Sequence, residues 1–200
     1  WLDRLGALAA RHPVRVCHRD YHLNNLFLLG SGEVGVIDAQ DILVKHILDS
    51  LAVVPHLHGQ RIVDVGTGGG LPGIPLAIWF PERSFTLLDR VSKKTRFLTQ
   101  ARIELGLDNV QVVASRAETY QPDQPFDTVV SRAFASLRDM LELTGHLCSS
   151  QGEFLALKGN YPDEELEQLP AGYRVAEIIP LQVPFLNAAR HVIRLQNKGT

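Results

Sequence analysis

The sequence predicts an α/β fold in which a mostly parallel, doubly wound sheet ends in an antiparallel C-terminal edge. An apolar run over residues 61–65 leads into a glycine-rich turn and then into an apolar, helix-like segment. Further apolar runs follow, and helix-like segments or turns separate them, as in repeated strand–helix units. The last two runs, residues 173–179 and 189–195, are joined by a short loop, which favours an antiparallel pair.

The first predicted elements precede the glycine-rich turn. A helix over residues 2–10 and a strand over residues 14–18 are followed by a hairpin whose strands cover residues 26–29 and 34–37. Residues 43–54 then carry apolar side chains at helical spacing. This helix is predicted to pack across the sheet just before its first strand.

The predicted elements after the turn alternate between strand and helix. One helix covers residues 92–106, where Ser92 caps it and Gly106 ends it. A second covers residues 136–147, and residues 163–169 form a short acidic helix. The buried side of the first helix is predicted to consist of Phe97, Leu98, Ala101 and Leu105. The remaining predicted strands cover residues 85–89, 110–114, 126–131 and 152–158.

Size and composition exclude several classes of protein. The 200 residues suit one domain, or one domain with an appendage, and 45% hydrophobic residues support a core. The net charge of −2 gives no global attraction to nucleic acid, so RNA binding would need a local basic face. Cys17 and Cys148 are far apart, which argues against a metal site or a disulfide framework and favours the cytoplasm. No apolar run is long enough to predict a membrane span.

The glycine-rich turn contains an acidic-x-G-x-G-x-G pattern, formed by Asp64, Gly66, Gly68 and Gly70. It departs from the dinucleotide fingerprint G-x-G-x-x-G, because Leu71 stands at the third glycine position. The pattern resembles that of the Rossmann-like methyltransferases that use S-adenosylmethionine (SAM). That resemblance implies that the Asp64 carboxylate helps to hold the cofactor amine. The alternative is a tight strand-to-helix turn that binds nothing.

A second acidic position follows the glycines. Asp89 ends an apolar run about twenty residues downstream, where folds of this class place the carboxylate that binds ribose. Asp89 can accept hydrogen bonds from both ribose hydroxyls. The alternative is an aspartate that caps the following helix, and the two roles are compatible.

Three cations stand in the first turns of that helix, at Lys93, Lys94 and Arg96. Cations near a helix N-terminus oppose the macrodipole, so a purely stabilising role is a poor explanation. They predict either a contact with RNA phosphate or simply solvated side chains.

Residues 1–41 contain a different motif. His18, Asp20 and Asn25, followed by Asp38, resemble the catalytic loop and metal-binding segment of the aminoglycoside and sugar phosphotransferases. By that resemblance Asp20 is the catalytic base, and Asn25 and Asp38 are magnesium ligands. No nucleotide-covering glycine loop or phosphate-binding lysine precedes them. We therefore interpret residues 1–41 as a kinase-like fragment or atypical extension joined to a methyltransferase domain over residues 42–200.

The segment after the strand over residues 126–131 indicates the methyl acceptor. It lacks the Asn/Asp-Pro-Pro-aromatic motif of many enzymes that methylate exocyclic amines, and it has no cysteine nucleophile. Guanine N7 is an acceptor whose lone pair needs no deprotonation, so alignment and electrostatics suffice. Arg132 and Phe134 are the candidate catalytic residues, because they lie where donor and acceptor would meet.

Residues 42–200 resemble the bacterial RsmG (GidB) family, which methylates guanine N7 in small-subunit (16S) ribosomal RNA. The stretches that carry the resemblance are HILDSLAV, DVGTGGGLPGIPLAI, FTLLD, KKTRFL, SRAFASL, ALKG, and LQVP followed by ARHVI. The resemblance implies a monomeric, cytoplasmic enzyme that binds SAM and the small ribosomal subunit. The residues it implies for the cofactor are Gly66, Leu71, Ala117, Glu118 and Arg132, with Asp64, Gly68 and Asp89 lining the same pocket.

The same resemblance implies an RNA face. Arg132 would sit between cofactor and RNA, and Phe134 would stack on the target base, a contact worth roughly 1–3 kcal/mol. The other members of this face are Lys93, Arg96, Lys158 and Arg190.

The N-terminal segment is where the chain departs from the family pattern. The family carries N-terminal helices that help to cover the cofactor, and the kinase-like segment stands in their place. Cofactor binding is therefore expected to survive better than turnover. The alternatives are a SAM-binding chimera without activity and a small-molecule phosphotransferase.

Overall fold

The computed structural model describes residues 26–28, 34–36, 43–132, 134 and 136–198. Several predictions fall outside these residues. They concern the helix over residues 2–10, the strand over residues 14–18 and the kinase-like residues His18, Asp20, Asn25 and Asp38.

The strands of the described residues form two sheets. The first is a two-stranded antiparallel sheet of β1 (Leu26–Leu28) and β2 (Val34–Val36), which confirms the predicted hairpin. The second has seven strands. These are β3 (Arg61–Val65), β4 (Ser84–Asp89), β5 (Val110–Ala114), β6 (Phe126–Ser131), β7 (Cys148–Lys158), β8 (Tyr173–Pro180) and β9 (His191–Asn197).

The larger sheet has the strand order β5-β4-β3-β6-β7-β9-β8. β3 pairs in parallel with β4 and β6, and parallel pairing continues to β5 on one side and β7 on the other. β9 then pairs antiparallel with both β7 and β8. This confirms the predicted parallel sheet with an antiparallel edge, and it places the carboxyl ends of β3, β4 and β6 side by side.

Helices connect the strands. The helical segment α1 begins with π-type turns over Leu43–Leu48 and continues as an α-helical turn over Asp49–Leu51. The other α-helices are α2 (Gly73–Trp79), α3 (Ser92–Glu104), α4 (Leu137–Thr144) and α5 (Asp163–Glu167). None of the helices in the described residues is long and apolar enough to cross a membrane.

The alternation of side chains along the strands divides the core between the two faces of the sheet. On one face Val63, Val129 and Phe154 pack with α4 residues such as Met140. On the other face Ile62, Leu87 and Val130 pack with residues of α2 and α3, including Leu76 and Leu98. Burial on both faces explains why the central strands β3 and β4 are mostly apolar instead of alternating between apolar and polar residues.

Three local predictions were wrong. Phe97 is 58% exposed instead of buried, and Thr95 and Leu98 are the buried residues of α3. Ser92 is the first residue of α3 and provides no side-chain cap. β7 begins at Cys148, four residues before the predicted start, because polar residues after Cys148 continue the extended chain.

Candidate functional site

The turn after β3 is a loop that favours glycine at three positions. Gly66, Gly68 and Gly70 have φ angles of 68°, 61° and 89°, in the left-handed region that a Cβ disfavours. The backbone N–H groups of Gly66 and Thr67 both donate to the carbonyl of Leu88, at 2.8 and 3.2 Å. The loop is thereby fixed across the ends of β3 and β4, with bare backbone at its surface.

Asp64 lies beneath this loop and braces it. Its side chain is 1% exposed. Oδ2 accepts hydrogen bonds from Thr67 Oγ1 at 2.6 Å and from Gly73 N–H at 2.8 Å. Oδ1 is buried and has no hydrogen-bond partner. Burial raises the pKa of Asp64 to about 6, although the bonds from Thr67 and Gly73 act in the opposite direction.

The raised pKa of Asp64 predicts an unusual dependence of stability on pH. Because the folded state binds this proton more tightly than the unfolded state, the protein loses stability as pH rises from about 4 to about 6. The loss attributable to Asp64 approaches about 3 kcal/mol at neutral pH. Melting temperatures of the wild type and Asp64→Asn, measured between pH 4.5 and 7.5, should therefore diverge. Parallel pH profiles for the two proteins would contradict this assignment.

Asp89 ends β4 and faces the same loop. It is 5% exposed, and its Oδ2 accepts from the N–H of Gly68 at 3.0 Å and lies 3.6 Å from Lys94 Nζ. Oδ1 accepts from the N–H of Val91 at 2.9 Å, just before α3 begins. Asp89 therefore shapes the entry to α3 as well as the glycine loop, although the N-cap residue of α3 is Val91 and not Asp89. The role of Asp89 toward ribose stays a prediction.

A cavity of about 440 Å³ opens beside the glycine loop, and we call it the glycine-loop cavity. Gly66, Asp89, Ala117 and Glu118 line it, four of the residues that the family resemblance implies for one pocket. The rest of the predicted set lies elsewhere: Asp64 is buried below the loop, Gly68 and Leu71 belong to the loop without lining the cavity, and Arg132 lines a neighbouring cavity. The remaining lining residues are Val65, Leu88, Arg90, Val91, Lys94, Ser115, Arg116, Phe134 and Leu143.

The neighbouring cavity, which we call the arginine cavity, has a volume of about 540 Å³. Phe134 lines both cavities, so they adjoin at the segment that follows β6. The arginine cavity is lined by Lys45, His46, Asp49, Arg132, Phe134, Leu157, Lys158, Gly159, Leu181, Arg190 and His191. Its lining is strongly basic and includes four of the predicted catalytic and RNA-binding residues, Arg132, Phe134, Lys158 and Arg190.

Internal ion pairs hold the cations of the arginine cavity. Arg132 Nη1 lies 3.4 Å from Asp49 Oδ2, and Arg190 Nε donates to Asp49 Oδ1 at 2.9 Å. Lys158 Nζ lies 2.8 Å from Glu165 Oε2. Glu165 also accepts from the N–H of Leu137 at 2.7 Å, so α5 ties Lys158 to the start of α4.

The basic residues of α3 form a separate surface. Lys93 and Arg96 are exposed and line neither cavity, whereas Lys94 lines the glycine-loop cavity. Phe97, which was expected to be buried, lies on the same exposed side as Lys93, because residues four apart on a helix are neighbours.

Sequence reasoning missed Asp49 and Glu165 as members of the site. Asp49 pairs with residues 83 and 141 positions away, and Glu165 pairs across the β7–α5 connection. The only available signal for Asp49 was an acid within an otherwise apolar helical pattern.

The glycine-loop cavity has features that suit a ribose-bearing ligand. Asp89 is an acid at the cavity wall, and the bare backbone of Gly66 permits close approach. Below the loop, Asp64 Oδ1 is a buried acceptor without a hydrogen-bond partner. The adjoining arginine cavity offers positive charge and the ring of Phe134 to an anionic or aromatic partner.

Two sequence families match parts of this chain. The family described as rRNA small subunit methyltransferase G matches residues 31–193. The phosphotransferase enzyme family matches residues 1–60 and so overlaps the first match.

Individual relatives share more than half of their aligned residues with this chain. The chain is 56% identical over 162 residues to the ribosomal RNA small subunit methyltransferase G of Aeromonas salmonicida, covering 81% of this chain and 78% of the relative. It is 54% identical over 160 residues to the protein of the same name from a Shewanella species, covering 80% and 78%.

Solved structures share the fold at low identity. A SAM-dependent methyltransferase from Thiobacillus denitrificans in complex with S-adenosyl-L-homocysteine has a TM-score of 0.55 and 14% identity, covering 81% of this chain and 99% of that one. A SAM-dependent methyltransferase from Aquifex aeolicus has a TM-score of 0.59 and 18% identity, covering 79% and 93%. The described sheet is thus that of the Rossmann-like methyltransferases.

Proposed function

Since the chain belongs to the rRNA small subunit methyltransferase G family, we propose that it transfers a methyl group from SAM to N7 of a guanine in small-subunit (16S) ribosomal RNA. One observation supports this proposal above the others: a cavity built on glycine backbone and acids adjoins a basic cavity at Phe134. The first suits the cofactor, and the second suits a nucleotide in an RNA chain.

On the cofactor side, the residues present fit SAM. The carboxylate of Asp89 would accept from the ribose hydroxyls, and the Gly66 backbone would admit the ligand closely. Asp64, buried below the loop with Oδ1 unpartnered, would hold the cofactor amine through a bound water. Ala117 and Glu118 would border the adenine. We also assign Gly68 and Leu71 to this site, as loop residues that hold its shape.

On the acceptor side, the chemistry asks little of the protein beyond positioning. SAM, when bound, supplies an electrophilic methyl group carried on a sulfonium. Guanine N7 needs no general base, so Arg132 and Phe134 would act by orienting the base and balancing charge. Phe134 is suited to stack on the guanine because it borders both cavities.

The RNA contact proposed here has two parts. Lys158 and Arg190 stand with Arg132 in the arginine cavity and would contact phosphates near the target base. Lys93 and Arg96 would provide a second, separate basic surface on α3, where the exposed ring of Phe97 offers a further place for a base. The two parts supply the local positive charge that a net charge of −2 does not.

We assign the methyltransferase domain to residues 42–200 and regard residues 1–41 as a kinase-like fragment. The two family matches overlap over residues 31–60, so the boundary falls within a shared region. We expect no phosphoryl transfer, because that reaction depends on a complete nucleotide-binding cleft to position its phosphates. The enzyme is proposed to act as a monomer in the cytoplasm, where its RNA substrate resides.

The proposal is tested first by ligand-dependent melting. SAM at about 100 times its dissociation constant should stabilise the protein by about 2.7 kcal/mol. For a chain of this size that corresponds to roughly 5–11 °C. Asp89→Ala should lose the SAM-induced shift measured against its own unliganded melting temperature. A shift produced by ATP with magnesium instead of SAM would favour the phosphotransferase alternative.

A measurement of methyl incorporation into RNA tests the proposed reaction itself. Small ribosomal subunits that lack the modification should gain labelled methyl from SAM, and nuclease digestion should yield 7-methylguanosine. Binding of SAM without any incorporation would support the alternative of an inactive chimera.

A further inference from the structure

Asp49 stands where three distant segments of the chain meet. It lies on α1, its side chain is buried, and each of its oxygens faces one arginine. Arg132 directly follows β6 and Arg190 directly precedes β9. One carboxylate therefore connects α1 to the two segments that flank the arginine cavity.

The charge balance of this cavity depends on the same residue. Among the described residues that line the cavity, Asp49 is the only carboxylate, and several cations surround it. Arg132 and Arg190 are partly exposed, at 31% and 26% of their side chains, so they reach from the buried acid toward the opening. Without the acid the two guanidinium groups would repel each other and their side chains would be free to reorient.

A purely stabilising role explains this arrangement poorly. Buried ion pairs often contribute little net stability compared with apolar residues of similar size. What the pairing supplies is orientation: Arg190 donates to Asp49 through Nε and to the carbonyl of Ala189 through Nη1, so two bonds fix the plane of its guanidinium group.

We propose that Asp49 is a positioning residue for methyl transfer, which holds Arg132 and Arg190 in the orientation that the RNA substrate requires. This inference rests on the proposed function. It assigns to α1 a part in the reaction, although Asp49 lies outside the glycine-loop cavity.

The test is Asp49→Asn, which removes the charge and keeps the shape. The turnover number for small subunits should fall about 100-fold, a loss typical of groups displaced by about an ångström. The SAM dissociation constant should change by less than about twofold, because the cofactor side is built from other residues. Glu177→Gln is the matched control: it also converts an acid that faces an arginine, Arg194, but it lies outside both cavities, so turnover should be unchanged.

A double-mutant cycle separates positioning from general destabilisation. If Asp49 acts through Arg132, then Asp49→Asn should cost at least about 10-fold less in an Arg132→Gln background than in the wild type. Additive losses, wild-type turnover in Asp49→Asn, or a loss of SAM affinity as large as the loss of turnover would each overturn the proposal. If Asp49→Asn does not fold, Asp49→Glu, which keeps the charge but displaces it, should fold and show the same selective loss of turnover. A wild-type protein that transfers no methyl group would instead refute the proposed function itself.

Discussion

Replacing Arg132 with glutamine is expected to lower the turnover number for methyl transfer by about 100- to 1,000-fold, the loss typical of removing one preorganised donor from an active site. Arg132 directly follows β6 and lines the arginine cavity, two positions before Phe134, and Asp49 holds its guanidinium group. Glutamine retains a polar side chain but has neither the charge nor the forked donors of arginine. Initial rates with small ribosomal subunits at saturating SAM measure the effect.

The control for this prediction is Arg138→Gln. Arg138 lies on α4, is exposed, and pairs with Glu142 at 2.8 Å on the outer surface of that helix. The same change of charge at this position should leave turnover within about twofold, since exposed helix pairs contribute only a few tenths of a kcal/mol. Equal rates for the two variants would mean that Arg132 has no part in the reaction.

Replacing Gly73 with alanine is expected to destabilise the fold by about 3 kcal/mol, at the upper end of the cost of overpacking a core. A Cβ at Gly73 would clash with Leu87 and would approach Asp64 Oδ2 to 2.8 Å. It would also disturb the bond from the Gly73 N–H to Asp64 that connects α2 to β3. For a chain of this length the melting temperature should fall by roughly 6–12 °C.

Gly69→Ala is the comparison for that variant. Gly69 lies in the same loop, but a Cβ there has no heavy atom within 4 Å, and its φ angle is not in the left-handed region. Its melting temperature should stay the same or rise slightly, because alanine restricts the unfolded chain. Similar losses in both variants would show that the loop as a whole, and not the packing of Gly73 on β4, sets the stability.

The strands of the sheet were predictable because each one is visible in the local sequence as a group of apolar residues. β6 occupies the predicted residues, 126–131, since Phe126, Val129 and Val130 mark a buried strand that Arg132 ends. In α3 the local pattern was not sufficient to predict which residues are buried. Phe97 and Leu98 are adjacent, and an apolar pattern alone does not decide which of two neighbours faces the core; the packing of Leu98 against the sheet decides it.

The two cavities of the candidate site also differ in how far local sequence predicts them. Most of the glycine-loop cavity is built from residues at or shortly after the ends of β3, β4 and β5, so the glycine pattern and the strand ends pointed to Gly66 and Asp89, whereas Glu118 came from the family resemblance. The arginine cavity depends on contacts between distant segments, such as the pairing of Asp49 with Arg190 over 141 positions. No local pattern encodes such a pairing, so the cations could be predicted but not the acid that orients them.

The position of β9 has a consequence for the order in which the enzyme matures. β9 is the most C-terminal of the described strands, yet it inserts between β7 and β8. As the polypeptide leaves the translating ribosome, the loop that follows β3 can close long before Arg190 has been synthesised. In a nascent chain the proposed cofactor half could therefore form first, and the proposed RNA-binding half only after the segment that holds Arg190 and β9 has been synthesised.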